Sequence, residues 1–141
     1  MTTQTQNKTE QLTQGVHHVG LTVKDLPTTL KFFETALGFN KVGEVPDYPA
    51  AFITDGSTMI ALWQALTKEK IEFDRRSNIG LHHLSFKVDG EKGLNTVYQK
   101  LNQTEGVTIE FAPELMGDGP SKHMMCTEPG GIRIEFIAPA K

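Results

Sequence analysis

Gly15-Val16-His17-His18-Val19-Gly20-Leu21-Thr22-Val23 returns 65 positions later as Gly80-Leu81-His82-His83-Leu84-Ser85-Phe86-Lys87-Val88. Each copy opens on a histidine pair and continues as a β-type run. Successive strand side chains point to opposite faces. Val19, Leu21 and Val23 therefore share a face with His17, and Leu84, Phe86 and Val88 share one with His82. These apolar faces are the ones a helix must cover. That leaves His18 with Gly20 and Thr22, and His83 with Ser85 and Lys87, on the polar, concave side. A duplicated strand carrying a duplicated histidine is the start of a two-module fold with imidazoles facing each other across a pseudo-twofold axis. His17 and His82 fall on the helix side and read as structural.

A third candidate ligand comes from Gly131-Ile132-Arg133-Ile134-Glu135-Phe136-Ile137. Ile132, Ile134 and Phe136 make its apolar face, so Glu135 lies on the other with Arg133. The matching segment of the first module runs from Gly56 to Trp63, offset by 74 rather than 65, and pairs Glu135 with Ala61. The nine extra residues are expected in an enlarged loop around Ala112 to Lys122. Two histidines and one carboxylate, with a methyl group where a fourth ligand could stand, make an open site.

The helices fall where a βαβββ module needs them. Asp25 is placed to cap a helix with Pro27 in its first turn and Leu26, Leu30, Phe33 and Leu37 on one face, ended by Gly38. Asp89 precedes a second, with Leu94, Val97 and Leu101 on one face. Three extended segments follow each helix: Asn40–Val45, Ala50–Thr54 and Thr58–Gln64, then Thr108–Ala112, Lys122–Thr127 and Ile132–Ile137. Asp55-Gly56 and Glu128-Pro129-Gly130-Gly131 turn the last hairpins. The expected class is α+β, two tandem βαβββ modules forming an eight-stranded cupped mixed sheet, a partly open barrel with helices outside. Residues 1–14 read as a disordered polar tail and 15–139 as one domain, with module one at 15–64, a linker at 65–79 and module two at 80–139.

At 141 residues the chain is long enough for a real core, and its net charge of −3 with no basic cluster points to neither nucleic acid nor an anionic membrane surface. No apolar run approaches the ~20 residues of a membrane span. The Thr/Gln-rich start, residues 1–14, lacks a signal-peptide core. A lone Cys126 excludes an internal disulfide and suits a reducing cytoplasm, the expected location.

The sequence resembles the vicinal oxygen chelate superfamily of glyoxalases, bleomycin-resistance proteins, fosfomycin-resistance enzymes and extradiol dioxygenases. The resemblance spans about Gly15 to Pro139 and rests on His18-Val19-Gly20-Leu21-Thr22-Val23, Leu37-Gly38-Phe39, His83-Leu84-Ser85-Phe86-Lys87-Val88 and Glu128-Pro129-Gly130-Gly131-Ile132-Arg133-Ile134-Glu135. It implies a divalent metal, Fe(II), Mn(II), Zn(II) or Ni(II), held by His18, His83 and Glu135 and chelated by two adjacent oxygens of a small-molecule substrate. Lyase, isomerase or dioxygenase chemistry would follow, and a homodimer is left open.

Two departures narrow this. The resembled glyoxalases place a carboxylate or amide where this chain has Ala61, and dioxygenase and fosfomycin-type members often place a Tyr where it has Met125. His123, on the same face two residues earlier, is then the candidate for acid/base work beside Glu135. Met59, Trp63 and Met125 are candidates for an apolar substrate wall, and Arg133 for orienting an anionic group. The competing expectation is a sequestering binder of the bleomycin-resistance kind, which needs no catalysis.

Overall fold

The repeated runs become edge strands of two sheets. In a computed structural model that describes residues 9–140, the first module comprises β1 (Val19–Val23), α1 (Leu26–Thr35), β2 (Asn40–Val45), β3 (Ala50–Thr54) and β4 (Met59–Gln64). The second comprises β5 (Leu84–Lys87), α2 (Gly90–Asn102), β6 (Thr108–Leu115), β7 (Lys122–Thr127) and β8 (Arg133–Ala138). The eight strands are hydrogen-bonded as two sheets of four, ordered β1-β4-β3-β2 and β5-β8-β7-β6, an open cupped arrangement rather than a closed barrel. In each sheet the repeated strand runs parallel to the last and the other pairs are antiparallel. The first eight residues of the expected disordered tail lie outside the described part. Among the described residues no helix is long and apolar enough to cross a membrane.

The capping chemistry works as the sequence suggests for α1 and less so for α2. Asp25 adopts an extended backbone and its carboxylate accepts from Thr28 N at 3.2 Å. After Thr35 the chain passes through Ala36, and Gly38 at φ 76° takes the left-handed conformation that ends the helix cheaply only for glycine. Asp89 makes no side-chain cap bond, and the end charges Glu91 and Lys100 favour α2 through the helix dipole instead. α1 buries Leu26, Thr29, Phe32 and Phe33, and α2 buries Leu94 and Leu101. Each such Phe or Leu contributes about 1.5–3 kcal/mol of burial free energy.

One core serves both modules. Phe33 and Phe39 of the first pack edge-on against Phe86 of β5, with ring centroids 6.4 and 5.8 Å apart. A buried carboxylate adds a second tie: Glu128, 1 % exposed, sits in the β7–β8 turn and accepts from Thr29 Oγ1 of α1 at 2.9 Å. It also accepts from the backbone N–H groups of Gly130 and Ile132, each at 2.8 Å. Charge-assisted bonds to three donors compensate its desolvation. Residue 130 has no room for a side chain, because a Cβ there would lie 2.3 Å from Thr29 Oγ1.

The register bears out the pairing of Ala61 with Glu135. Gly20 opposes Ala61, and Ser85, 65 positions on, opposes Glu135. The nine extra residues are spread differently from the expectation of one enlarged loop. The offset is 65 at the first strands, 68 between Gly43 and Phe111, 73 between Phe52 and Met125, and 74 at the last strands. Three residues therefore enter with the longer α2, thirteen residues against ten, five enter between β6 and β7, and one enters the final turn.

Candidate metal centre

The two histidine pairs lie just before their strands rather than inside them, and the repeat extends to their side chains. His17 Nδ1 meets His18 Nδ1 at 2.9 Å, and His82 Nδ1 meets His83 Nδ1 at 2.8 Å, one nitrogen of each pair donating. The rings sit edge-on at 5.1 and 5.0 Å. These contacts occupy Nδ1 and leave Nε2 of each histidine to other partners. His17 and His82, expected under the helices, are exposed. The apolar alternation that would have buried them begins only at Val19 and Leu84.

His83 does face the carboxylate. Its Nε2 stands 3.6 Å from Glu135 Oε1, while Glu135 Oε2 meets His123 Nδ1 at 2.6 Å. Glu135 is 8 % exposed, and that burial pushes its carboxyl up. Hydrogen bonds from His123 and Ser85 and the charges of His83 and His123 outweigh the burial, leaving it below its ordinary value. Glu135 is thus held ionised, with one oxygen fixed by His123 and the other turned to His83. The Phe111 ring packs 4.8 Å from that of His123 and limits its freedom. Met125 is buried across from both Glu135 and Phe111.

His18 does not join this group within the chain. Among the described residues no three His, Cys, Asp or Glu side chains are arranged to hold one ion. The donor chemistry of the pair that does meet suits a divalent cation. Two donors each about 2.1 Å from one ion at the tetrahedral angle stand about 3.4 Å apart, close to the spacing of His83 and Glu135.

Module one presents a different surface on the corresponding face. Met59 is half-buried across from Thr54. Trp63 packs edge-on against Tyr48 at 4.7 Å and near Phe52 at 6.0 Å. Its indole lies over β1, where a Cβ on Gly20 would be 3.8 Å from Nε1. Tyr48 and Phe52 escaped the sequence reading because alternation identifies a face but not which large rings on it converge.

Arg133 is committed elsewhere than expected. Its Nε and Nη2 donate to Glu110 Oε1 and Oε2 at 2.8 and 2.7 Å, a bidentate fork that lowers the Glu110 carboxyl and raises the guanidinium. Desolvation and the charges of Arg133, His83 and Arg75 hold His82 below its usual value. Cys126, with no role at this face, is buried in the core; burial and the nearby Glu128 charge push its thiol up to about 12.

A fold of paired βαβββ modules with a histidine, a carboxylate and a second histidine gathered on one polar face defines a recognisable class. The chain belongs to the Glyoxalase/Bleomycin resistance protein/Dioxygenase superfamily, whose family model matches residues 15–136. No curated protein matches the sequence. Among solved structures it is similar to a glyoxylase/bleomycin resistance protein/dioxygenase domain from Frankia sp. EAN1pec, with 22% identity, TM-score 0.80 and coverage of 92% of this chain and 94% of that one. A putative glyoxalase from Bacillus halodurans is 25% identical, with TM-score 0.73 and coverage of 89% and 97%. A mutant of the fosfomycin resistance protein FosX from Listeria monocytogenes, complexed with Mn(II) and 1S,2S-dihydroxypropylphosphonic acid, is 15% identical, with TM-score 0.70 and coverage of 92% and 93%.

Proposed function

We propose that this chain is a metal-dependent enzyme of the superfamily, acting on a small substrate that offers two adjacent oxygens to a divalent ion. The carrying observation is Glu135, held ionised with Oε2 fixed by His123 and Oε1 facing His83 Nε2. His83 and Glu135 would hold the ion, and His18 would complete the set. The Mn(II) and the adjacent hydroxyls of the ligand in the FosX relative are in keeping with this chemistry. When bound, the ion would act as a Lewis acid on substrate oxygen. His123 orients Glu135 and stands ready to hold or pass a proton at Nδ1. Phe111 and Met125 keep water away from that proton, and Trp63 with Met59 forms an apolar wall.

Because His18 does not reach His83 and Glu135 within the chain, we assign its completing role to a second copy, in a homodimer whose sites each draw on both chains. Metal analysis of protein purified without chelator tests the centre, with about one ion per chain expected and none in Glu135→Ala. Mixing His18→Ala with His83→Ala protein tests the pairing. Sharing between chains restores one intact site per mixed dimer, whereas a site built within one chain stays dead in the mixture.

A second reading, a binder without catalysis, is favoured by Ala61 at the position matching Glu135 and by the aromatic group of Trp63, Tyr48 and Phe52. Stoichiometric aromatic binding by metal-free protein, with no turnover in the metal-loaded form, would select it.

A further inference from the structure

A cavity of about 660 Å³ lies beneath the segment that joins the modules; His82 lines it but neither His83 nor Glu135 does, and it falls in the size range of small-molecule sites. Its floor is the polar side of β1, Gly20 and Thr22, with Thr127 of β7 and the start of β8. Its roof is apolar, from Phe73 and Leu81, side chains that the protein leaves 46 and 38 % exposed, with the fully exposed Ile79 at its rim. Gly80 lets this roof close, since Phe73 Cε1 sits 2.8 Å from where a Cβ would be.

The charges around it are unequal. Glu72 is paired with Lys24 at 2.9 Å, and both oxygens of Glu110 are engaged by Arg133. Arg75 is left with its Nη2 3.9 Å from Glu110 Oε2, beyond hydrogen-bond distance. Two guanidiniums thus share one carboxylate at the edge of an apolar hollow, and Arg133, locked by its fork, fixes the geometry while Arg75 keeps donors to offer.

We propose that this cavity binds a small ligand with an apolar body and a carboxylate end, the body against Phe73 and Leu81 and the carboxylate on Arg75. The fork of a guanidinium matches two carboxylate oxygens, and hydrogen bonds to a charged group are worth about tenfold or more in affinity. The site needs no metal. It is therefore separable from the enzyme reading above.

Phenylacetate and its neutral isostere phenylacetamide are the probes, titrated into full-length protein in excess chelator. Trp63, the only tryptophan, lies next to Gly20 of the cavity floor and is read by fluorescence, with calorimetry as the primary measurement because Trp63 does not itself line the cavity. Phenylacetate should bind about tenfold more tightly than the amide. Arg75→Gln should erase that preference, and His83→Ala should keep it. Equal affinities in the unmodified protein, binding of neither probe, or a preference that survives Arg75→Gln would overturn the proposal. So would a preference lost in His83→Ala, which would place the anion on the histidines instead.

Discussion

The two modules can be compared rung by rung. Across the first sheet the polar side reads Gly20, Ala61, Phe52, Gly43, and across the second it reads Ser85, Glu135, Met125, Phe111. One rung further lie Trp63 and Ala50 against Ile137 and His123. The helix-covered faces, by contrast, stay apolar in both: Leu21, Leu62 and Ala51 match Phe86, Phe136 and Met124. The repeat has conserved what builds the sheet and divided what the sheet presents, with ionisable groups on one half and small or aromatic ones on the other.

The largest expected effect tests the division itself. His83→Ala should abolish stoichiometric metal binding with the fold retained, whereas His82→Ala, an exposed side chain outside the Glu135 contact, should bind metal as before. Plasma emission metal analysis with circular dichroism reads both. Loss in His82→Ala alone would invert the face assignment by one residue, the known hazard of strand register.

Next comes the tie between modules. Asp55 and Glu128 occupy matching turns, and both accept two backbone N–H groups, but Asp55 is exposed and reaches no helix, while Glu128 is buried on Thr29. Thr29→Val leaves a buried carboxylate short of one donor and should cost about 1–3 kcal/mol in chemical denaturation. Asp55→Ala should cost less, about 1 kcal/mol or under. Equal costs would mean that Glu128 serves only its own turn.

Ala61→Glu would make the first rung resemble the second. If residue 61 faces the ion, the variant should release metal about tenfold more slowly and bind chelators such as catechols more weakly, because a protein oxygen competes with the incoming pair. Stopped-flow metal release and chelator titration decide it. Unchanged values would show that the two rungs do not meet over one ion.

The smallest effect concerns Glu110, whose counterpart in the matching bulge of the first sheet, 68 positions earlier, is the uncharged Val42. The Arg133 fork lowers its pKa from the ordinary 4.5, so its contribution is present above that value and lost as pH falls through the lower folded one. Glu110→Gln should be less stable than the parent at about pH 7, by under about 1 kcal/mol, and equal to it at about pH 3. Thermal melts across that range would expose a constant gap, which would assign the loss to packing rather than charge.

The architecture was legible because alternation and helical spacing are local. Leu21 and Leu94 announce their faces within a few residues, and the strand bounds shift by only a residue or two for most elements. The pairing of Ala61 with Glu135 was legible too, since the repeat carries it. What escaped depends on distant registration. Bulges in β6 decide that Glu110 reaches Arg133, and nothing around Glu110 signals it. Glu128 looks like an ordinary turn residue until α1 arrives above it. Histidines written as strand residues proved to stand just outside the strand, where alternation no longer dictates burial.

The shared aromatic contact of Phe33, Phe39 and Phe86, with the carboxylate clasp beside it, bears on how the molecule could be taken apart. Neither half closes its own interior: Phe86 looks to the first half for neighbours, and Thr29 looks to the second for an acceptor. A chain nicked by a protease within 65–79 would keep every one of these contacts. The two fragments should therefore stay associated after cleavage and reassemble from separate solutions, a covalent break without a loss of shape.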